Sequence, residues 1–142
     1  MTNALPASAS PAPWAQAYVG LPYILCVGEC AHRAALVWRQ VFGWGVEVPA
    51  AHGNLRVAQR LIRAALATGD WVPADEPRDG DAVVMWKGDL LCHVGVWVAP
   101  GHVLHCTRAD GMVLTPVEDL PRQGFRIART YTRKAAQQAL AA

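Results

Sequence analysis

His93-Val94-Gly95-Val96-Trp97-Val98 leads through Ala99-Pro100-Gly101 into His102-Val103-Leu104-His105-Cys106. Two runs of β-branched and aromatic residues flank a Pro-Gly turn, the pattern of a β-hairpin. Side chains alternate between the two faces of a strand, so register decides what the histidines can do together. With a three-residue loop, paired residue numbers sum to an even value (200 or 202), and His93 and His105 share a face. Gly95 or Trp97 then lies opposite His105. A loop of two or four residues would part the histidines. The Pro-Gly turn favours the first arrangement, because glycine can take the left-handed position that such loops need.

Working outward, short β-branched or aromatic runs recur at residues 82–86 and 125–131, punctuated by Gly, Pro and Asp. Earlier in the chain the period changes. From Cys30 onward, Ala34, Ala35, Leu36, Trp38, Val41 and Phe42 fall at helical spacings, and Gly43 is a natural stop. A second helix is predicted from Leu55 to Ala67, with Leu55, Ala58, Ile62, Ala65 and Leu66 on one face. A short helical segment at residues 14–18 precedes the breaker Gly20-Leu21-Pro22. Helices first and an antiparallel sheet second define an α+β layout. The expected organisation is a flexible tail over residues 1–13, one domain over 14–132, and an Ala/Gln-rich tail over 133–142.

A chain of 142 residues accommodates a single core, and 53% hydrophobic with 17% charged residues is a globular balance. No apolar run reaches the roughly 18–20 residues of a membrane span. A net charge of +2 without a Lys/Arg stripe argues against nucleic acid. The N-terminus has neither a basic start nor an apolar stretch, so no secretory signal is expected and synthesis in the cytoplasm is. In a reducing compartment, Cys26, Cys30, Cys92 and Cys106 would pack, ligate metal or react.

A thiol becomes a hydrolytic nucleophile when its pKa falls, a base lies within reach, and a third group fixes the base's tautomer. Cys30 falls at a helix N-terminus, with Glu29 just before it, where the helix dipole favours a thiolate. His93 could supply the base and an imidazolium partner, and His105 could orient it. The bland alternative is a buried structural thiol. Cys26 either packs or serves as a fallback nucleophile. A zinc site drawn from Cys26, Cys30, Cys92, His93, His105 and Cys106 is a rival use, although the spacing matches no familiar zinc ribbon. In an oxidising compartment Cys92 and Cys106 could bridge across the hairpin. His32, His52 and His102 read as solvated or locally bonded, and Trp38 and Trp86 as core. Trp97 shares the His93 face and is a candidate cleft wall. Asp81 reads as the organiser of a strand start.

Six stretches, in order, resemble the NlpC-type cysteine peptidases that cut cell-wall peptides. Trp14-Ala15-Gln16-Ala17-Tyr18-Val19-Gly20-Leu21-Pro22-Tyr23 is similar to the family's opening segment, and Glu29-Cys30 before a helix to its acid-plus-nucleophile step. Pro77-Arg78-Asp79-Gly80-Asp81-Ala82-Val83-Val84-Met85 resembles the Pro-Gly-Asp strand start. The runs from His93 to Val98 and from Val103 to His105 resemble the strands bearing the catalytic histidine and the third polar residue. Residues 117–131 are similar to the closing strand. Phe42-Gly43 to Val48-Pro49 resembles the small peptidase-like proteins of phage tail modules. The departures are Glu29 for the family's Asp, Ala31-His32 for its Ser/Trp-Gly pair, and only six residues between Tyr23 and Cys30.

The resemblance implies a papain-like α+β domain in which Cys30 is the nucleophile, His93 the base and His105 its orienter. The Cys30 N–H would help hold the oxyanion, with Tyr23 nearby and Trp97 beside the substrate. It implies hydrolysis of peptide bonds in peptidoglycan, no cofactor, other tail proteins as partners, and incorporation into a phage tail or tail-like particle. Two alternatives stand beside it: a structural tail protein that keeps the fold without the activity, and a secreted antibacterial effector with the same chemistry.

Overall fold

The computed structural model describes residues 12–135, so most of both expected tails lies outside it. Its elements are α1 (Pro13–Gln16), α2 (Cys30–Phe42), α3 (Leu55–Ala67), β1 (Trp71–Pro73), β2 (Ala82–Lys87), β3 (Leu90–Val98), β4 (His102–Thr107), β5 (Gly111–Pro116) and β6 (Arg126–Arg133). A 3-10 helix over Val117–Gln123 links β5 to β6. The strands form one six-stranded sheet in the order β1-β6-β2-β3-β4-β5, antiparallel throughout. β1 and β5 were not expected from the sequence, being short or interrupted by Gly and Pro. Arg133 pairs with Trp71, so the sheet extends one residue beyond the expected boundary at 132.

Two hydrophobic clusters form on the sheet, and they separate residues by parity. On one face, Ala34, Ala35, Val37 and Trp38 of α2 pack against Val94, Val96 and Val98 of β3 and Leu104 and Cys106 of β4. On the other, Val83, Met85 and Val103 meet Leu120 of the 3-10 helix and Phe125. α2 stops where Gly43 takes a left-handed φ of 74°, its N–H bonding the Arg39 carbonyl at 3.2 Å and the Trp44 N–H the Trp38 carbonyl at 3.0 Å. Trp38 Nε1 donates to the Gly80 carbonyl at 2.7 Å, which ties α2 to the start of β2. Trp86, expected in the core, is only partly buried and carries the Arg126 guanidinium 5.9 Å over its ring.

α3 is strongly amphipathic yet none of its residues is fully buried. Asn54 caps it, accepting from the N–H groups of Arg56 and Val57 at 3.0 and 3.1 Å. Its apolar stripe, including Leu55, Ala58, Ile62 and Leu66, lines one wall of a cavity of about 390 Å³ between the helices and the sheet. The stripe predicted from periodicity therefore faces a cleft rather than a closed core.

The hairpin register settles the question posed by the sequence. Val96 pairs with Leu104, Trp97 with Val103 and Val98 with His102, around the three-residue loop Ala99-Pro100-Gly101. Gly95 is required there by space. A Cβ on it would stand 2.7 Å from Val103 Cγ1 and 2.9 Å from His105 Cβ. The absent side chain leaves room for the His105 ring.

Candidate active site

β3 and β4 bring His93 and His105 together, with His93 Nε2 2.8 Å from His105 Nδ1. The chain of contacts continues beyond them. His105 Nε2 lies 3.1 Å from Thr115 Oγ1 on β5, and Thr115 Oγ1 donates to Gln123 Oε1 at 3.1 Å. Because the threonine proton goes to Gln123, Thr115 Oγ1 accepts from His105 Nε2–H. His105 Nδ1 is then the unprotonated nitrogen and accepts from His93 Nε2–H. That leaves His93 Nδ1 with a free lone pair. With the protons so placed, His93 Nδ1 is a hydrogen-bond acceptor.

Phe125 holds the pair from the side. Its ring stacks on His93 at 4.0 Å and 16° and meets His105 edge-on at 5.5 Å. Burial drives both imidazoles to the neutral state. His93 lies well below the ordinary histidine range, chiefly through desolvation, then through His105 and Lys87. His105 is lowered to about 4 by burial, against the opposing effect of the nearby Gln123 amide.

Cys30 opens α2 and lines the same cavity as His93. Its sulfur takes the backbone N–H groups of Val94 and Ala31, which favour a thiolate, but burial outweighs them and pushes the thiol up to about 11. Cys92 and Cys106 act in the same direction as burial. The environment thus runs against the expectation of a thiol lowered by the helix terminus and an imidazolium: desolvation raises the partly buried thiol and favours an uncharged His93. Among the described residues no hydrogen bond joins Cys30 to His93 or His105; Val94, next to His93, holds the sulfur instead.

Glu29, 6% exposed, is the hub of the loop before Cys30. It accepts from the N–H groups of Cys26, Ala51 and Gly53 at 3.1, 3.2 and 2.7 Å, and from the Tyr23 hydroxyl at 3.4 Å. Burial alone would raise its pKa, but the N–H groups of Cys26, Gly53 and Ala51, with His32, hold it below the usual range. His32 is locally bonded, its Nδ1 accepting from the Glu29 N–H at 3.3 Å. Tyr23 lines the cavity under the Arg108 guanidinium, 5.4 Å over its ring. Asp81 organises the start of β2, accepting from the Arg78 N–H at 2.9 Å.

Trp97 does not serve as the expected cleft wall. It packs against the Val83, Met85 and Phe125 cluster and is not among the residues that line the cavity, whereas His93, four residues earlier on the same face of β3, lines it together with Phe125. The four cysteines are free, and no group of three or more Cys, His, Asp or Glu among the described residues is placed to hold a metal ion. Thr115, Gln123 and Phe125 went unnoticed in the sequence: no motif marks them, and their place depends on β5 and the 3-10 helix.

Comparison with known proteins supports the fold. The solved NlpC/p60 domain of the peptidoglycan hydrolase SagA aligns with a TM-score of 0.54 at 15% identity, covering 84% of this chain and 92% of that one. The chain thus has the α+β, papain-like architecture of an NlpC/p60 domain. No family profile matches the sequence, and no curated protein matches it.

Proposed function

We propose that this chain is a cysteine-peptidase-type hydrolase of peptide bonds in peptidoglycan. The observation that carries the reading is the buried relay from Gln123 to His93, which leaves Nδ1 unprotonated on a residue that lines the same cavity as Cys30. The SagA domain, a peptidoglycan hydrolase by name, shares the fold and suggests the substrate class.

In this mechanism the resting site holds a neutral thiol and a neutral imidazole rather than a preformed ion pair. His93 Nδ1 takes the thiol proton as Cys30 Sγ attacks the scissile carbonyl, and the Cys30 N–H helps hold the oxyanion. Cys30 packs with the Val94 face of β3, while His93 stacks on Phe125 at the opposite face. The sulfur must therefore leave its contacts with Val94 and Ala31 and reach His93 through the cavity that Cys30 and His93 both line. The imidazolium protonates the leaving amine, giving a thioester on Cys30. Water, deprotonated by His93, then releases the acid and regenerates the thiol. Tyr23 contributes to the substrate wall. By resemblance alone, we assign the protein to a phage tail or tail-like particle, alongside other tail proteins. Mass spectrometry of purified particles tests that assignment.

A second reading, a domain that keeps the fold without turnover, draws on the raised Cys30 thiol and its missing bond to His93. Purified peptidoglycan separates the two. The hydrolase reading expects soluble peptide fragments from the wild-type chain and none from Cys30→Ala. Intact peptidoglycan after prolonged incubation with the wild type would leave the structural reading.

A further inference from the structure

A second sulfur–imidazole contact lies outside this relay. Cys26 Sγ stands 3.1 Å from His52 Nδ1, a separation at which the thiol proton can pass to the ring. The pair is built by the backbone. Cys26 and His52 are the two non-glycine residues with positive φ among those described, at 71° and 54°. Both loops are pinned to the same Glu29 oxygen, which takes the Cys26 N–H at 3.1 Å and the Gly53 N–H at 2.7 Å. Arg108 fastens the second loop from outside by donating to the Gly53 carbonyl at 2.9 Å. His52 is exposed and Cys26 only partly buried, so a small reagent can reach the sulfur.

We propose that Cys26 and His52 form a thiol-exchange site, at which Cys26 is modified by small disulfides. His52 takes the thiol proton and the Cys26 sulfur attacks one sulfur of the reagent. The reagent's S–S bond breaks as the new one forms, and the departing thiolate leaves with the proton from His52. The balance is Cys26 thiol plus disulfide giving mixed disulfide plus free thiol, with no further oxidant. Acyl transfer fits the site less well. It needs N–H donors for an oxyanion, whereas the N–H groups of Cys26 and Gly53 are spent on a carboxylate that would repel one. Sulfur exchange develops no oxyanion. His52 lies between Ala51 and Gly53, both of which line the cavity, so the adduct would stand at its rim.

This proposal stands apart from the hydrolase reading, and its test uses the whole protein with 2-hydroxyethyl disulfide at neutral pH. Peptide mass mapping follows each cysteine over time, for the wild type and for His52→Asn. Asparagine tolerates a left-handed φ, so the loop keeps its conformation, and matching thermal melts check this. The expected result is adduct on Cys26 before the other cysteines, with the Cys26 rate falling about tenfold in His52→Asn, as loss of a proton-transfer partner should cause. An unchanged rate in His52→Asn would reduce the site to an exposed thiol and overturn the proposal. First modification at any other cysteine would overturn it too.

Discussion

His93 and His105 share one hydrogen bond of 2.8 Å between Nε2 and Nδ1, and its polarity is set from two residues further away. Thr115 gives its proton to Gln123 and so must accept from His105 Nε2–H. If His93 is the base, Thr115→Val should lower kcat about tenfold with little change in KM, and His105→Ala should lower it by roughly 10²-fold or more. Steady-state kinetics on a peptidoglycan peptide check both, and equal losses in KM would indicate a wall residue instead.

The buried neutral histidines make stability depend on acid. In the unfolded chain they protonate near 6.5, while in the fold His105 waits until about 4 and His93 is also held well below 6.5. The unfolded state therefore binds more protons between those values, so stability falls as pH drops below about 6.5 and goes on falling toward 4. His105 alone accounts for a loss on the order of 3 kcal/mol across that window. Urea denaturation at stepped pH should show it, with a shallower dependence in His105→Gln.

Glu29 contributes in a lower window. Its pKa is lowered in the fold, so its stabilisation is present above the unfolded value of 4.5 and is lost as pH falls through the folded one. Glu29→Ala leaves the N–H groups of Cys26, Ala51 and Gly53 without their shared acceptor and should cost about 3 kcal/mol at neutral pH. Thermal melts of the variant should fall by roughly 6 °C or more.

Gly95→Ala tests the packing behind the register. Its methyl would meet Val103 and the His105 Cβ inside normal contact distance, so the hairpin must shift. The expected cost is about 1–3 kcal/mol in stability, with a loss of activity beyond that of a distant destabilising change.

Much of this was legible because the relevant signals are local. α2 begins at Cys30 and α3 runs from Leu55 to Ala67, as periodicity and caps indicate. The Pro-Gly loop carried enough information to place His93 and His105 on one face. What the sequence could not convey was environment. Helix position alone argues for a lowered Cys30 thiol; desolvation against the sheet raises it instead. Strand alternation places Trp97 on the His93 face, but which body packs on that face depends on Leu120 and Phe125, far along the chain. The Cys26–His52 contact joins two loops through Glu29, and no spacing rule marks such a meeting.

The most direct test of the hydrolase account is to trap its intermediate. Wild-type protein is mixed with a peptidoglycan peptide, quenched in acid within a turnover, and digested for mass spectrometry. The account expects an acyl group on the Cys30 peptide, absent in His93→Ala. Substrate cut with the acyl group on Cys26, or with Cys30 never acylated, would contradict it.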